Sequence, residues 1–593
     1  MKDDDSIRLG KENILSLVRR SYNGEVVLPD FQRNFIWDRQ GIEEFIKSLL
    51  ENVFIGTFLI LETVPGMEPF NCILVQGAKK VNPNIEAKPK IIILDGQQRL
   101  TSLFYAIYSP DIPLKNTERP YAFFIDLQKL AEDDIDEAVF SHPKDHMFYK
   151  NLLDGRTSFD TEKLKESKVI TLALFQDIST FNKLWYKEFN NLFDNETAEK
   201  VKAYLDNIFS YDVITLSLST SFNEEPDKIV VLFERLNRTG VRLSTYDLLV
   251  ARMYKFMKLR EEWERLFNDS NNYQNIRKLA SYEIENTDVP FSFIRALVLS
   301  KEKSIKDRDL IKIDSKILNK EEWKRVVEVA EKKVLSRLFY QGNYGIGGDI
   351  DKWLPYSTIV IPFLALYLKH DHPDVKKLDM WYWSVVFSES YSGSTYSEIM
   401  KDFREVSRWF EDDLLIPEVV RELRDQILKG AYSLKDVKRV GSSLFKGVFN
   451  LIFRNDPVDF FEPENIAFNE LNDHHIFPKN FLKVVNVDSD IVLNRTLIFD
   501  RTNKIISNKS PEDYIKEMIE TQKQKNVSLE EAERRVKEIF EKHFINCEMY
   551  EILKNTSKDL PKEKIKENFE RFIDLREKLI LAKIKELIGL REY

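Results

Sequence analysis

The chain has 593 residues, of which 43% are hydrophobic and 32% charged, and its formal net charge is −9; this length exceeds one hydrophobic core, so we expect two to four soluble domains. The sequence has no run of about 18 apolar residues, which argues against a membrane span, and its acidic, polar start argues against a secretory signal. Its 2 cysteines are too few for a four-cysteine zinc knuckle and fit a reducing cytoplasm, where we expect the protein.

A helix is predicted directly after the stretch VVLPDFQRNFIW, which spans residues 26–37. Asp38 can cap this helix, and apolar side chains at i, i+3, i+4, i+7 and i+8 predict one buried stripe. Val53–Glu62 is typical of a strand, with Gly56 inside it. Residues 64–89 are rich in Pro, Gly and Asn, and they are predicted to form an irregular loop.

The next stretch, KIIILDGQQRLTSLFYAIY at residues 90–108, combines a buried strand with a helix. Ile91–Leu94 is a continuous apolar run, as a strand covered on both faces requires. The dipeptide formed by Asp95 and Gly96 marks a sharp turn, and apolar residues at helical spacing follow it. We therefore predict a strand, a tight turn and a helix in direct succession.

The first turn of this predicted helix carries Gln97, Gln98 and Arg99. Free backbone N–H groups and the positive end of the helix dipole make such a place a natural anion site. Arg99 can hold a phosphate through a bidentate contact, or it can form a structural pair with Asp95. The residues alone leave both alternatives open.

The pattern from about residue 256 to 425 is helical, and the segment Lys429–Arg454 that follows is locally basic. An acidic chain can bind DNA only through local basic patches. Lys438, Arg439 and Lys446 are therefore DNA-binding candidates, together with Lys479 further along the chain. A solvated helix face is the alternative explanation for these cations.

Two adjacent histidines, His474 and His475, close a short strand-like run and are followed by Ile-Phe-Pro. Val492–Phe499 is typical of a second strand, and the residues 500–503 can open a helix. Neighbouring side chains on a strand point to opposite faces, so one imidazole can bind a metal while the other faces a substrate. Neutral imidazole suits both tasks, although a strand end with two ordinary polar residues is the plainer alternative.

This order of strand, loop, strand and helix, with His-His on the first strand and Asn503 at the helix start, resembles the HNH (ββα-metal) nuclease motif. The resemblance implies that His475 is the general base and that Asn494 completes the catalytic set by bracing the loop. It also implies that His474 and Asn503 hold one divalent metal ion. Mg²⁺ or Mn²⁺ is expected; His474 stands where the family often has Asp, and imidazole also suits softer ions.

Three stretches, VLPDFQRNFIWD, LDGQQRLTSL and LFERLNRTGVRLSTYDLLVA, together resemble the ParB-like DGQQR domain of GmrSD-type restriction enzymes over about residues 8–255. That family domain binds and hydrolyses a nucleoside triphosphate. The nucleotide-binding residues that the resemblance implies are Gln32, Arg33, Asp95, Gln97, Gln98 and Arg99. The sequence has no GxxxxGK[ST] motif, so an NTPase here is not a P-loop enzyme.

The whole chain resembles a fused GmrSD-type (type IV) restriction enzyme. The expected fold class is α+β and rich in helix. We expect a ParB-like α/β nucleotide-binding domain at 1–255, a helical middle at 256–425 and an HNH nuclease domain with C-terminal helices at 426–593. The resemblance implies a nucleotide-regulated, metal-dependent endonuclease that cuts modified double-stranded phage DNA. It implies no membrane partner and leaves a homo-oligomer open.

Two other functions fit the same sequence. The first is a ParB-like, nucleotide-switched DNA-binding protein whose HNH domain is vestigial, and metal-dependent nicking of plasmid DNA would argue against it. The second is an NTPase that depletes nucleotides during infection, and NTP turnover fully independent of DNA would favour it. The sequence also leaves open whether the C-terminal charged helices pack on the nuclease core or on a partner.

Overall fold

The computed structural model describes residues 8–30, 37–155, 158–218, 245–253, 256–269, 271–283, 286–346, 349–393, 395–464 and 470–590. The chain divides into two compact units, Met1–Leu259 and Arg260–Tyr593. The first combines sheets with helices, and the second is built of helices that surround a short hairpin. The fold is thus mixed α and β and rich in helix, as predicted. No helix of these described ranges is long and apolar enough to cross a membrane.

The strands are short, and all but the last two lie in the first unit. They are β1 Arg8–Asn13, β2 Val26–Pro29, β3 Thr57–Glu62, β4 Cys72–Ile73, β5 Ile91–Asp95, β6 Tyr121–Asp126, β7 Val139–Pro143, β8 Leu153–Asp154, β9 Ser158–Phe159, β10 Val169–Thr171, β11 Asp212–Leu218, β12 Leu471–His475 and β13 Arg495–Phe499.

The α-helices occupy most of the remaining described chain. In the first unit they are α1 Ile14–Tyr22, α2 Arg39–Leu50, α3 Ala78–Val81, α4 Gln97–Tyr108, α5 Leu127–Ala131, α6 Ile135–Ala138, α7 Met147–Asn151, α8 Thr161–Glu166, α9 Ile178–Leu184, α10 Asn195–Ser210 and α11 Thr245–Met253. From the unit boundary onward they are α12 Leu259–Asn268, α13 Gln274–Leu279, α14 Asp288–Ser300, α15 Asp307–Leu310, α16 Lys320–Val329, α17 Ser336–Leu338, α18 Gln341–Tyr344, α19 Ile350–Trp353, α20 Val360–Lys369, α21 Val375–Ser388, α22 Thr395–Glu411, α23 Glu418–Leu428, α24 Ser443–Arg454, α25 Lys479–Leu482, α26 Asp500–Ile506, α27 Pro511–Lys523, α28 Leu529–Glu541, α29 Cys547–Lys554 and α30 Lys562–Leu587.

The main sheet of the first unit has the strand order β1-β11-β3-β5-β2-β4. Strand β5 pairs antiparallel with β3 and parallel with β2, so it lies inside the sheet. All four residues of Ile91–Leu94 are buried, as their unbroken apolar run predicts. A smaller antiparallel sheet has the order β10-β6-β7. Because β5 is paired on both sides, the main sheet fixes the place at which β5 ends and α4 begins.

The helix start predicted at Asp38 is confirmed. Asp38 accepts a hydrogen bond from the backbone N–H of Gly41 and caps α2. Ser510 and Asp513 form a reciprocal capping box at the start of α27. Both patterns are local, because the cap and the N–H groups that it satisfies lie within one turn.

Two predicted strands are shorter than their patterns indicated. Strand β3 begins at Thr57, because Gly56 has a φ of 93°, outside the extended region. Strand β13 begins at Arg495, because Val492–Asn494 form a 3₁₀ turn before it. The loop predicted at 64–89 also contains the two-residue strand β4 and the short helix α3.

Replacement of Gly96 by Ala tests the tight turn between β5 and α4. Gly96 has a φ of 102°, and a Cβ there would lie 2.5 Å from Cδ1 of Phe58. We expect Gly96→Ala to lower the free energy of unfolding by about 1–3 kcal/mol through backbone strain, and by more through steric overlap. Gly66→Ala is the matched control, since Gly66 has a φ of 90° but an added Cβ meets no described atom within 4 Å. Equal shifts of the two urea-unfolding midpoints would contradict the predicted overlap with Phe58.

Candidate functional site

The hairpin formed by β12 and β13 and the helix α26 that follows it carry the histidine motif. The strands are antiparallel, with His475 opposite Arg495 and His474 opposite Thr496. Residues directly opposite each other share one face of a hairpin, and neighbours along a strand point to opposite faces. The two imidazoles therefore belong to different faces, and the chain follows the predicted order of strand, loop, strand and helix.

The side chain of His475 lies in a cluster of alternating charges. Its Nε2 is 2.9 Å from Oδ1 of Asp490 and 3.0 Å from Nη1 of Arg495. Lys479 donates to the other carboxylate oxygen of Asp490 at 2.6 Å. Arg495 also donates to Asp473 at 2.6 Å, across the hairpin. These contacts hold the His475 ring from one side.

The electrostatic environment keeps His475 neutral and Asp490 ionised. Burial lowers the pKa of the His475 imidazole, the Arg495 cation lowers it further, and the Asp490 carboxylate opposes both effects. Hydrogen bonds from Lys479 and then from His475 lower the pKa of Asp490. At neutral pH the site thus combines an uncharged imidazole, which can accept a proton, with a carboxylate that stabilises it once protonated.

Asn494 is fully buried and closes the long loop between the two strands. Its Oδ1 accepts from the backbone N–H of Phe477 at 2.9 Å. Its Nδ2 donates to the carbonyls of Phe477 at 3.1 Å and Ser489 at 2.9 Å. Of the predicted catalytic pair, Asn494 thus has the contacts of a positioning residue, because it braces the loop directly after His475.

His474, on the opposite face, points to the start of α26. Its Nε2 lies 2.9 Å from Oδ1 of Asp500, the first residue of that helix. Asn503 is three residues further along, and residues at this spacing are neighbours on a helix surface. Burial lowers the pKa of His474, while the hydrogen bond and charge of Asp500 oppose this shift. A neutral imidazole and a carboxylate therefore meet here, and Asn503 lies three residues further along the same helix.

This donor set fits a divalent metal ion that keeps several water ligands. In the described ranges, no group of three His, Cys, Asp or Glu side chains is placed to hold a metal ion. A metal at this place would therefore depend on His474 and Asp500 together with the amide oxygen of Asn503. Mg²⁺ and Mn²⁺ accept such oxygen-rich, hydrated sites.

The predicted DNA-binding cations are mostly engaged within the protein. Lys438 pairs with Asp488 at 2.5 Å, and Lys479 pairs with a carboxylate as described above. Lys446 is half-buried and donates to two backbone carbonyls. Arg439 is exposed. Contact with DNA through these four residues stays a prediction.

The predicted nucleotide site lies where β5 leads into α4. Arg99 donates through Nη1 to the carbonyl of Ile55 at 2.6 Å and through Nη2 to that of Thr57 at 2.8 Å. Its Nη2 also lies 3.5 Å from Oδ2 of Asp95, and burial lowers the pKa of the guanidinium. The structural role that the sequence left open is thus present, and a phosphate contact of Arg99 stays a prediction.

The remaining predicted nucleotide-binding residues divide into two groups. Asp95, Gln97 and Gln98 stand together at the strand end and in the first helical turn, and all three are partly exposed. Gln32 and Arg33 lie outside the described residues. The described part of the predicted set is therefore contiguous and accessible at the start of α4.

Sequence patterns did not identify three residues that contact the histidines. Arg495 could have been found from the hairpin register, which places it opposite His475. Asp500 could have been found from its spacing of three residues to Asn503 on one helix. Asp490 lies in a loop, and no local pattern indicates that its carboxylate meets His475.

Comparison with known proteins adds the family. A model of the GmrSD restriction endonuclease N-terminal domain matches residues 14–254. The uncharacterized protein MJ0686 of Methanocaldococcus jannaschii is 58% identical over 582 residues, which cover 98% of this chain and 99% of that protein. The match to MJ0686 thus extends through the hairpin and the C-terminal helices, beyond the matched domain. The chain therefore belongs to the family of that Methanocaldococcus protein and carries at residues 14–254 the N-terminal domain of the GmrSD restriction endonucleases.

Proposed function

We propose that the chain is a metal-dependent DNA endonuclease that restricts modified phage DNA and is regulated by a nucleoside triphosphate. The observation that carries the proposal is the arrangement of the hairpin and α26. It places a neutral imidazole, that of His475, beside Asp490, and it places a second imidazole, that of His474, against the carboxylate of Asp500 on α26. The GmrSD N-terminal domain supports DNA as the substrate and restriction as the process.

In this proposal His475 takes the proton from the attacking water. Nε2 lies between the Asp490 carboxylate and Nη1 of Arg495; in this proposal it donates to the ionised Asp490, which leaves the lone pair on Nδ1. Among the described residues, Nδ1 of His475 has no hydrogen-bond partner, so this lone pair is available to water. Once the ring is protonated, the Asp490 carboxylate stabilises the imidazolium.

His474, Asp500 and Asn503 would hold the metal ion. A bound divalent ion supplies Lewis-acid stabilisation of the phosphate charge and of the leaving oxygen. Asn494 keeps the loop after His475 in place through its three backbone contacts. The proposed base thus belongs to one face of β12, and the proposed metal ligands lie at its other face and on α26.

The N-terminal domain would supply nucleotide regulation. The resemblance to DGQQR domains implies that the nucleotide binds at Asp95, Gln97 and Gln98, at the start of α4. Backbone N–H groups in the first helical turn favour a negatively charged ligand.

The proposed base predicts that His475→Ala removes DNA cleavage. Loss of a general base typically lowers the rate on the order of 10²–10⁴-fold. His372→Ala is the matched control, because His372 is exposed and lies outside the hairpin. The measurement is the cleavage rate on plain and modified DNA, with and without metal and each NTP. Cleavage by His475→Ala at the parent rate would show that the HNH assignment is wrong.

The proposed metal ligands predict a separable phenotype for Asn503→Ala. Few protein ligands hold the proposed metal ion. Loss of one of them should therefore raise the metal concentration that gives half-maximal cleavage by a factor on the order of ten or more. Saturating metal should then restore part of the rate, whereas it should not rescue His475→Ala. The measurement is a titration of the cleavage rate with Mg²⁺ and with Mn²⁺. An unchanged metal response would remove Asn503 from the ligand set.

Regulation by the N-terminal domain predicts reciprocal coupling between NTP and DNA. If two ligands favour the same conformation, binding of either one must change the affinity for the other. We therefore expect NTP to change the cleavage rate, and modified DNA to change NTP affinity or turnover. The second measurement uses the His475→Ala protein, so that the DNA stays intact. Flat responses in both assays would mean that the two activities are independent.

A further inference from the structure

A chain of hydrogen bonds leads from helix α19 to the candidate metal centre. Nζ of Lys352, in this helix, donates to Oδ1 of Asn472 at 2.8 Å. Nδ2 of Asn472 donates to Oδ1 of Asp500 at 3.3 Å, and the same carboxylate oxygen lies 2.9 Å from Nε2 of His474. A single side chain, that of Asn472, thus lies between the Lys352 ammonium and the proposed metal ligand Asp500.

The short helix that carries Lys352 is held firmly. Trp353 is buried and stacks on Phe449 of α24, with ring centroids 5.1 Å apart, and it meets Phe453 edge-on at 5.4 Å. Lys446 donates to two backbone carbonyls, one in this helix and one at its C-cap. The Lys352 ammonium lies 4.8 Å from the Trp353 ring centroid. Its position is therefore set by packing before any ligand binds.

The charge of Lys352 is less compensated than that of Lys479 and Arg495, the two cations beside Asp490. Lys479 pairs with Asp490, and Arg495 pairs with Asp473. Lys352 donates instead to a neutral amide, and in the described chain it has no carboxylate within salt-bridge distance. An ammonium group has three N–H donors, so two stay available to a further acceptor.

We propose that Lys352 binds a backbone phosphate of the DNA beside the candidate metal centre. The inference rests on the proposed function and extends it, because it assigns a DNA contact to a residue outside the basic segment 429–454. Lysine binds phosphate as a point charge, and a fixed position next to the cleavage centre places that charge on the strand to be cut. Lys352 thereby orients the substrate and does not take part in proton transfer.

The test is the salt dependence of DNA binding by the full chain, with His475→Ala present so that the DNA stays intact and with EDTA to remove metal. Each phosphate neutralised by a protein cation contributes about 0.9 to the slope of log affinity against log salt. We expect Lys352→Met and Lys352→Gln to lower the magnitude of this slope by about 0.9, and Lys352→Arg to retain it. Gln keeps an N–H donor for Asn472, which separates loss of charge from loss of that hydrogen bond.

The matched control is the double variant Lys516→Met with Glu512→Gln, which removes a 2.6 Å ion pair on α27 without changing net charge. Its slope should equal that of the parent on short plain and modified duplexes. A parent-like slope for Lys352→Gln with a parent-like melting temperature would overturn the assignment of Lys352 and leave the proposed function standing. An equal loss in the control would also overturn it, since the effect would then not be local. Absence of salt-dependent DNA binding in the parent would overturn both proposals.

Discussion

The register between β12 and β13 is the constraint on which the candidate centre depends. It places His475 on the face of Arg495 and His474 on the face of Thr496. A slip of one residue would exchange these faces, because side chains alternate along a strand. Asn494 opposes such a slip, since it ties the loop to two fixed backbone positions. Asp459 does so at the other end, where its carboxylate accepts from the backbone N–H of Phe499.

The C-terminal helices pack against the hairpin, as the first of the two alternatives left open by the sequence requires. Arg576 of α30 is fully buried and donates to the carbonyls of Leu493, Arg495 and His543. Two of these carbonyls flank Asn494. A buried guanidinium is costly unless its donors are satisfied, and the three carbonyls can accept three of its five N–H groups only while the helix keeps its place. Packing of α30 and the position of Asn494 are thus coupled.

His543 shows how a buried polar group can be fixed without charge. Its Nε2 lies 2.8 Å from the carbonyl of Val458, so this nitrogen carries the hydrogen. Its Nδ1 then accepts from the hydroxyl of Thr496 at 2.7 Å. Burial lowers the pKa of His543 to about 3, and the ring stays neutral. Thr496 is opposite His474, so this neutral pair anchors the face of the hairpin that carries the proposed metal ligand.

Local sequence patterns predicted those parts of the fold that depend on residues within one or two turns of each other in the chain. The buried strand β5 and the cap at Asp38 are of this kind. The start of β13 was not predicted, because the Asn494 side chain bonds to a loop that only the folded chain brings near. The same holds for Asp490 and Lys352, which reach the centre from other segments. Composition can count the cations of the basic segment, but only the structure shows that Lys438 is already paired.

Arg99, in the first unit, also makes contacts that only the folded chain reveals. Its two Nη groups donate to Ile55 and Thr57 on either side of Gly56, whose added Cβ would lie 2.5 Å from Nη1. A phosphate that took the same two N–H groups in a bidentate contact would have to displace both carbonyls. Each buried carbonyl left without a partner costs about 1–3 kcal/mol, which the nucleotide contacts would have to exceed. A nucleotide that binds through the helix start at Gln97 and Gln98 avoids this cost, and Arg99 then acts by holding the β3 end of the site against α4.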